Sequence, residues 1–323
     1  MQTEMPRSVP VIQESISRRQ LLDRAFAIVG LLVILIAIMT LLTLVLRMAV
    51  QGLPLLNGRF FTSPPSSNPE EAGILIAWVG TSLVMLVTVV VAVPIGIASG
   101  IYLEEYARKN WVSGLIEINV RNLAGVPSII YGLLALGLFS FYLNLGESIL
   151  TAGLTLALLI LPVVIVTTRE ALRAIPNGLR EAAYALGASR WQMVWDHVLP
   201  YASGSILTGV IIGLSRAIGE TAPLVTIGAL TFITFLPEPF QTEAPFIGGE
   251  RFPANLLDWL KAPFTVMPIQ MFSWVSRPQE AFQLNAAAAG TVLIGMTLLM
   301  NGLAIYLRYR FRRGVKWLST YQG

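Results

Sequence analysis

Residues 169–200 read REALRAIPNGLREAAYALGASRWQMVWDHVLP. The pattern is helix, break, helix, turn, helix. Pro176-Asn177-Gly178 interrupts the first helix, and Asn177 is placed to cap the next. Leu179, Ala182, Ala183 and Leu186 then recur at helical spacing. Gly187 can take the positive φ of a sharp turn. Trp191, Val194, Trp195 and Val198 recur at i, i+3, i+4 and i+7, and Leu199-Pro200 closes the segment. Periodicity alone gives an amphipathic hairpin lying on a surface. Its flanks decide which surface.

On both sides the chain is apolar for lengths that fit a bilayer. The composition is 55% hydrophobic and 12% charged, where a soluble domain carries roughly 25% charged residues. Ala25 to Leu46 holds no charge and would span about 33 Å as a helix, enough for a hydrocarbon core of roughly 30 Å. It is longer than the apolar part of a cleaved leader and reads as an uncleaved anchor. A second span lies within Gly73–Leu103, ended by Glu104-Glu105, and Pro94 and Gly96 predict a kink near that end. The third lies within Leu123–Leu145, the fourth runs from about Ser148 to Thr168, the fifth from Ala202 to about Thr231, and the sixth from Asn285 to Leu307. The fold class is therefore an all-α integral membrane protein with six transmembrane helices.

Charge sets the orientation. With the N-terminus inside, the inner segments hold 16 Lys and Arg and the outer ones five: Arg47, Arg59, Arg251, Lys261 and Arg277. That bias puts both termini and the Arg169–Pro200 segment in the cytoplasm. It also accounts for the net charge of +4 without a nucleic-acid partner. The expected organisation is a tail (1–24), a first transmembrane helix (25–47), a periplasmic linker (48–72), a transmembrane domain (73–313) and a second tail (314–323). The domain contains a coupling segment (169–200) and a periplasmic segment (236–284). The last is rich in Pro and aromatics, among them Phe264, Phe272 and Trp274. It is expected to be folded, with parts at the outer interface.

One charged pair interrupts the fifth span. Ser215-Arg216-Ala217-Ile218-Gly219-Glu220-Thr221-Ala222-Pro223 lies in otherwise apolar sequence. A charge at the helix centre costs at least roughly 2.5–3.5 kcal/mol. Arg216 and Glu220, four apart, can pair on one face. The pair either fastens helices together or forms a polar point on a solute pathway. A guanidinium fork suits phosphate oxygens, and Glu220 would limit trapping of an anion that must also leave. Pro223 could open the helix there. There is no cysteine and one histidine, His197, so neither a thiolate nor a His-based metal site can form. No G-x-x-x-x-G-K-[ST] loop is present, and no catalytic residue is expected.

Several strings resemble one family. Glu181-Ala182-Ala183, then Gly187 and Leu199-Pro200, resembles the EAA signature of ABC importer permeases. His197 stands where that family usually has an aliphatic residue, either as a plain surface side chain or as a mild pH dependence of coupling. VPIGIASGIYLEEYA (93–107), GVPSIIYGLLALGLF (125–139), SRAIGETAPL (215–224) and MPIQMFSWVSRPQEAF (267–282) resemble the phosphate ABC transporter permease family PstA, within the binding-protein-dependent transport system inner-membrane components. The sister family PstC shares RAIGET, but ETAPL is more like PstA.

The resemblance implies a type I, MetI-like permease bundle in a bacterial inner membrane, forming half of a phosphate pathway. The other half would be a PstC-like subunit. An ATPase dimer that binds ATP and Mg would sit inside, and a periplasmic phosphate-binding protein outside, with lipid around the bundle. Arg216 and Glu220, with Ser215 and Thr221, would line the pathway. Glu181, Ala182, Ala183, Gly187, Arg190 and Trp191 would form the ATPase coupling site. The alternative is a permease for another oxyanion or nutrient, or the sister phosphate permease subunit PstC.

Overall fold

A computed structural model describes residues 9–108, 110–229, 232–234, 236 and 258–320. The chain forms two compact units, Met1–Gln51 and Gly52–Gly323. The described residues of the first belong to one helix, α1 (Val9–Gly52). Its apolar side chains from Leu22 to Leu46 are exposed on every side. The hydroxyls of Thr40 and Thr43 turn back onto the carbonyls of Ile36 and Met39. A helix apolar all round needs a lipid or protein environment.

The second unit contains α2 (Gly58–Thr62), α3 (Leu75–Ile101), α4 (Trp111–Leu123), α5 (Ser128–Ala135), α6 (Ile149–Arg173), α7 (Asn177–Ala185), α8 (Arg190–Gln192), α9 (Leu199–Ala217), α10 (Ala222–Thr226), α11 (Met267–Val275) and α12 (Glu280–Thr320). Among the described residues five helices are long and apolar enough to cross a membrane, or six if the bent pair Trp111–Leu123 and Ser128–Tyr142 is one span. Wider π-helical turns extend α3 to Tyr106 and α5 to Tyr142, and bridge α8 to α9 over Met193–Val198.

At the centre α3 and α6 pack through glycines. A Cβ on Gly96 would lie 2.7 Å from Val164 Cγ1, one on Gly100 would lie 2.7 Å from Thr168 Cβ, and one on Gly153 would run into Val87. Small residues let membrane helices approach until dispersion contacts hold them. Around this seam Val84, Ile149, Leu156, Ile160, Leu214, Leu224 and Ile269 form the main core.

Several expectations need correction. The third span occupies Ser128–Tyr142 within the expected range, but the segment before it is itself a helix, α4, which meets α5 at 106° across Ala124–Pro127. Pro127 disfavours α geometry at Val126, so the helix stops there. At about 1.5 Å per residue, the 13-residue α4 is too short to cross a bilayer. The second span is not ended by Glu104-Glu105, because the π turns carry both carboxylates inside the last helical turn. Asn177 does not cap α7; Pro176 holds the cap position and Asn177 is the first helical residue. Leu199-Pro200 closes nothing, since the helix runs from Arg190 to Ala217. Pro200 lacks an N–H and its ring would crowd the Asp196 carbonyl, and the wider turns just before it relieve the strain. The fifth span stops at Ala217 rather than reaching Thr231, and Pro223 opens the short α10 instead of sitting in a continuous helix.

Residues 52–72 are more than a linker. Phe60 and Ala72 are buried with Trp274, Phe282 and Ala288. Trp78 Nε1 donates to the Phe61 carbonyl, and Asn285 Nδ2 to that of Pro69. Of the aromatic segment after the fifth span, residues 237–257 lie outside the described residues. In the described remainder Phe264, Trp274 and Phe282 are core residues, not interfacial ones, while Phe272 is exposed. The Met267 amide donates to Thr81 Oγ1 at 2.9 Å, which ties the segment to α3.

Candidate functional site

Two regions carry the functional candidates. The first is an elbow formed by α7, Gly187 and α8. Gly187 has φ +83° with open space around it, so backbone conformation alone asks for glycine there. Ser189 and Gln192 then form a reciprocal capping box that starts α8. Ala183 turns inward onto Leu172, Met193, Val194, Val198 and Ile206. Glu181, Ala182 and Tyr184 face outward, and Leu186, at the tip, is 87% exposed. Trp191 and Trp195 are exposed and stacked, their rings 5.3 Å apart. Arg190 is drawn back over the ring of Tyr106 at 5.7 Å. Of the six expected coupling residues, Glu181, Ala182, Gly187 and Trp191 thus point outward, Ala183 is core, and Arg190 serves the π turn that ends the second span. His197 is half-buried.

Beneath the elbow lies an ion-pair lattice that the sequence did not disclose. Arg169 meets Glu104 at 3.3 Å and Glu117 at 2.9 Å; Arg173 meets the same two carboxylates at 2.9 and 3.1 Å. Arg180 on α7 meets Glu105 at 2.7 Å. Arg121 adds an i, i+4 contact to Glu117. Hydrogen bonds from Arg173 and Arg169 hold the Glu117 carboxyl down at about 2, against an ordinary 4.5. The only sequence signal was the spacing of Arg169, Arg173 and Arg180 after an apolar helix. Their partners lie 52 to 75 residues away.

The second region is the break between α9 and α10. Arg216 sits in the last turn of α9 and Glu220 just past its end, and Nε donates to Glu220 Oε1 at 3.1 Å. Arg216 is 43% exposed and Glu220 17%. Arg216 continues an uncovered stripe of Tyr201, Ser205 and Ile212. At 3.6 residues per turn these four positions share a narrow arc of the helix. Ser215 turns the other way: its Oγ donates to the Ile211 carbonyl or to Asn301 Oδ1 on α12, each 2.7 Å away. Thr221 opens α10 without a side-chain cap. The structure therefore joins Arg216 to Glu220, gives Ser215 to the α9–α12 contact, and leaves Thr221 beside the break. Asn301 is a polar partner that sequence reading missed within the apolar run of the last span. The break lies close to α5: a Cβ on Gly132 would meet Thr226 Oγ1 and would lie 2.6 Å from the Pro223 carbonyl oxygen. Among the described residues no three His, Asp or Glu side chains gather as metal ligands.

The family model of the binding-protein-dependent transport system inner membrane component matches residues 92–242, from the second span past the α9–α10 break. The phosphate transport system permease protein PstA of Yersinia pestis is 33% identical over 260 residues, 79% of this chain and 78% of that one. The chain belongs to the PstA family of transport permeases. PstA of Xylella fastidiosa strain Temecula1 is 29% identical over 289 residues, covering 90% and 93%. PstA 1 of Mycobacterium tuberculosis is 32% identical over 244 residues, covering 75% and 73%. Among solved structures, an inward-facing MetNI methionine ABC transporter chain superposes with TM-score 0.51 at 16% identity, covering 75% of this chain and 97% of that one. That likeness fixes the fold, a MetI-type importer permease. This PstA-family chain is thus a multi-pass membrane protein.

Proposed function

We propose that the chain is one permease half of an ATP-driven importer of inorganic phosphate. As an ABC importer permease it works with an ATPase and a solute-binding protein. The second permease half is a PstC-like subunit, and ATP and Mg belong to the ATPase dimer. Both termini and the elbow lie in the cytoplasm, on the side of the 16 basic residues.

The observation that carries this reading is Arg216 on the uncovered stripe of α9. A guanidinium this exposed does not face hydrocarbon; it faces a second subunit or a wet path between the two. Glu220 holds its Nε edge and leaves the other N–H groups for an anion. The carboxylate lowers the attraction so that the anion can leave again. The outward face of the elbow, with Glu181, Ala182, Tyr184 and Leu186, is the surface for the ATPase.

Reconstitution with the PstC-like subunit, the ATPase dimer and the phosphate-binding protein tests it. Arg216→Gln is expected to abolish phosphate uptake while the complex still assembles. Normal uptake by a well-assembled Arg216→Gln/Glu220→Gln variant refutes the pathway role. Competition among phosphate, sulfate and molybdate tests the substrate.

A further inference from the structure

Arg180 stands one residue before the elbow's outward-facing Glu181, yet it points inward. Its Nη2 donates to Glu105 Oε1 at 2.7 Å, and Nε lies 3.2 and 3.3 Å from the two carboxylate oxygens. The same guanidinium donates to the carbonyls of Leu172 and Ile175, each at 2.9 Å. These contacts have a local cause. In a continuing helix the Leu172 carbonyl would accept from the amide of residue 176, but that residue is proline and has no N–H. The Ile175 amide turns back to that carbonyl at 3.2 Å, Arg180 adds a second donor, and a cation suits the carbonyl end of α6. One side chain on α7 therefore binds the ends of α3 and α6 together. The site is nearly dry, with the Glu105 side chain 7% exposed and Arg180 16%.

The block it binds is already cross-tied. Arg169 and Arg173 join α6 to Glu104 on the π turn after α3 and to Glu117 on α4. Farther along, Gly96 and Gly100 press α3 directly onto α6. Among the described residues, Arg180–Glu105 is the ion pair by which α7 joins this block. Movement of α7 on its own would strip a desolvated carboxylate of its fork and take one donor away from each of two carbonyls.

We propose that Arg180 and Glu105 form a latch that makes the elbow move as one body with the inner ends of α3 and α6. A displacement imposed at Leu186 and Glu181 is then delivered to the second and fourth spans, not absorbed at the Pro176 break. Arg180 is a positioning residue, and this inference rests on the reading of residues 169–200 as the ATPase-docking elbow.

The chain has no cysteine, which allows a direct test. In the full importer, Glu105→Gln and the pair Glu105→Cys/Arg180→Cys are compared with wild type. The readouts are ATPase co-purification and the ratio of anion imported to ATP hydrolysed. The ratio is expected to fall about tenfold in Glu105→Gln and in the unbridged pair, with co-purification retained. Arg180→Lys, which keeps the charge and loses the fork, is expected to fall less. Bridging the cysteines with a short bis-maleimide is expected to return the ratio to within about twofold of wild type. An unchanged ratio in Glu105→Gln overturns the latch. So does a bridged protein that hydrolyses ATP but imports nothing, because the elbow would then have to part from α3. A wild-type complex that imports sulfate or molybdate in place of phosphate overturns the substrate reading alone, since the ratio can be measured with that anion.

Discussion

The glycine seam between α3 and α6 allows one substitution to be given opposite signs at two sites. Gly96→Ala puts a methyl 2.7 Å from Val164 Cγ1 and 2.8 Å from its Cβ, where carbon atoms prefer about 3.5–4.0 Å. Val164 is fully buried and β-branched on a helix, so it cannot swing clear. The helices must part by close to 1 Å. Forcing extra volume into such a contact costs about 1–3 kcal/mol. Alanine returns about 1 kcal/mol of helix propensity. The net expectation is a loss of up to about 2 kcal/mol. At Gly114 on α4 a Cβ meets nothing within 4 Å, so Gly114→Ala keeps the propensity gain and stabilises by about 0.5–1 kcal/mol. Both are read from denaturant unfolding of the purified protein in one detergent. A Val164→Ala background completes a double-mutant cycle. It should remove most of the penalty at Gly96, with a coupling near 1 kcal/mol, above the few tenths expected of independent sites. If Gly96→Ala stabilises as much as Gly114→Ala, or the cycle shows no coupling, close packing is not what the glycines provide.

Other perturbations separate the remaining features. Gly187→Val places a β-branched residue at φ +83° in open space; the strain of about 1–2 kcal/mol should fall on the elbow and lower ATPase co-purification, while Gly187→Asn should be tolerated better. Asn301→Leu leaves Ser215 its bond to the Ile211 carbonyl; stability should change by about 1 kcal/mol or less, with phosphate uptake falling far less than in Arg216→Gln. Glu117 has its folded pKa depressed from 4.5 to about 2, so its stabilising contribution is complete above pH 4.5 and is lost as pH falls through that window. Protection of α4 amides, taken relative to the intrinsic exchange rate at each pH, should therefore hold from neutral pH down to about 4.5 and fall progressively towards 2, whereas Glu117→Gln should lower it already at neutral pH.

What the sequence could disclose follows from the range of each signal. The first, second, fourth and last spans were legible because long uncharged runs are local facts. The elbow was legible because Pro176, Gly187 and the spacing around Ala183 act within a few residues. The ends of the third and fifth spans were not. Val126-Pro127 stops one and the turn from Gly219 to Pro223 the other, and backbone geometry decides there. Leu199-Pro200 looked like a stop because proline usually is one; the π turns at Met193–Val198 absorb it. Glu104 and Glu105 looked like the end of a span because their arginines arrive from beyond the fourth span. Phe60 and Trp274 read as linker and interface side chains, yet their rings lie 6.2 Å apart in one core. Contacts of that separation leave no local trace.

The arginines themselves argue for separate duties. Arg180 directs its donors to one carboxylate and two carbonyls, and little remains for a passing anion. Arg169 and Arg173 share two carboxylates that also hold α4. Arg216 makes one described hydrogen bond, at Nε, and keeps both terminal nitrogens on an exposed face. A residue that builds structure saturates its hydrogen-bonding capacity; one that must bind and release an anion holds part of it back. By that measure the arginines beneath the elbow belong to the framework, whereas Arg216, partly neutralised by Glu220 where the helix ends, keeps the free donors that the proposed pathway role asks for.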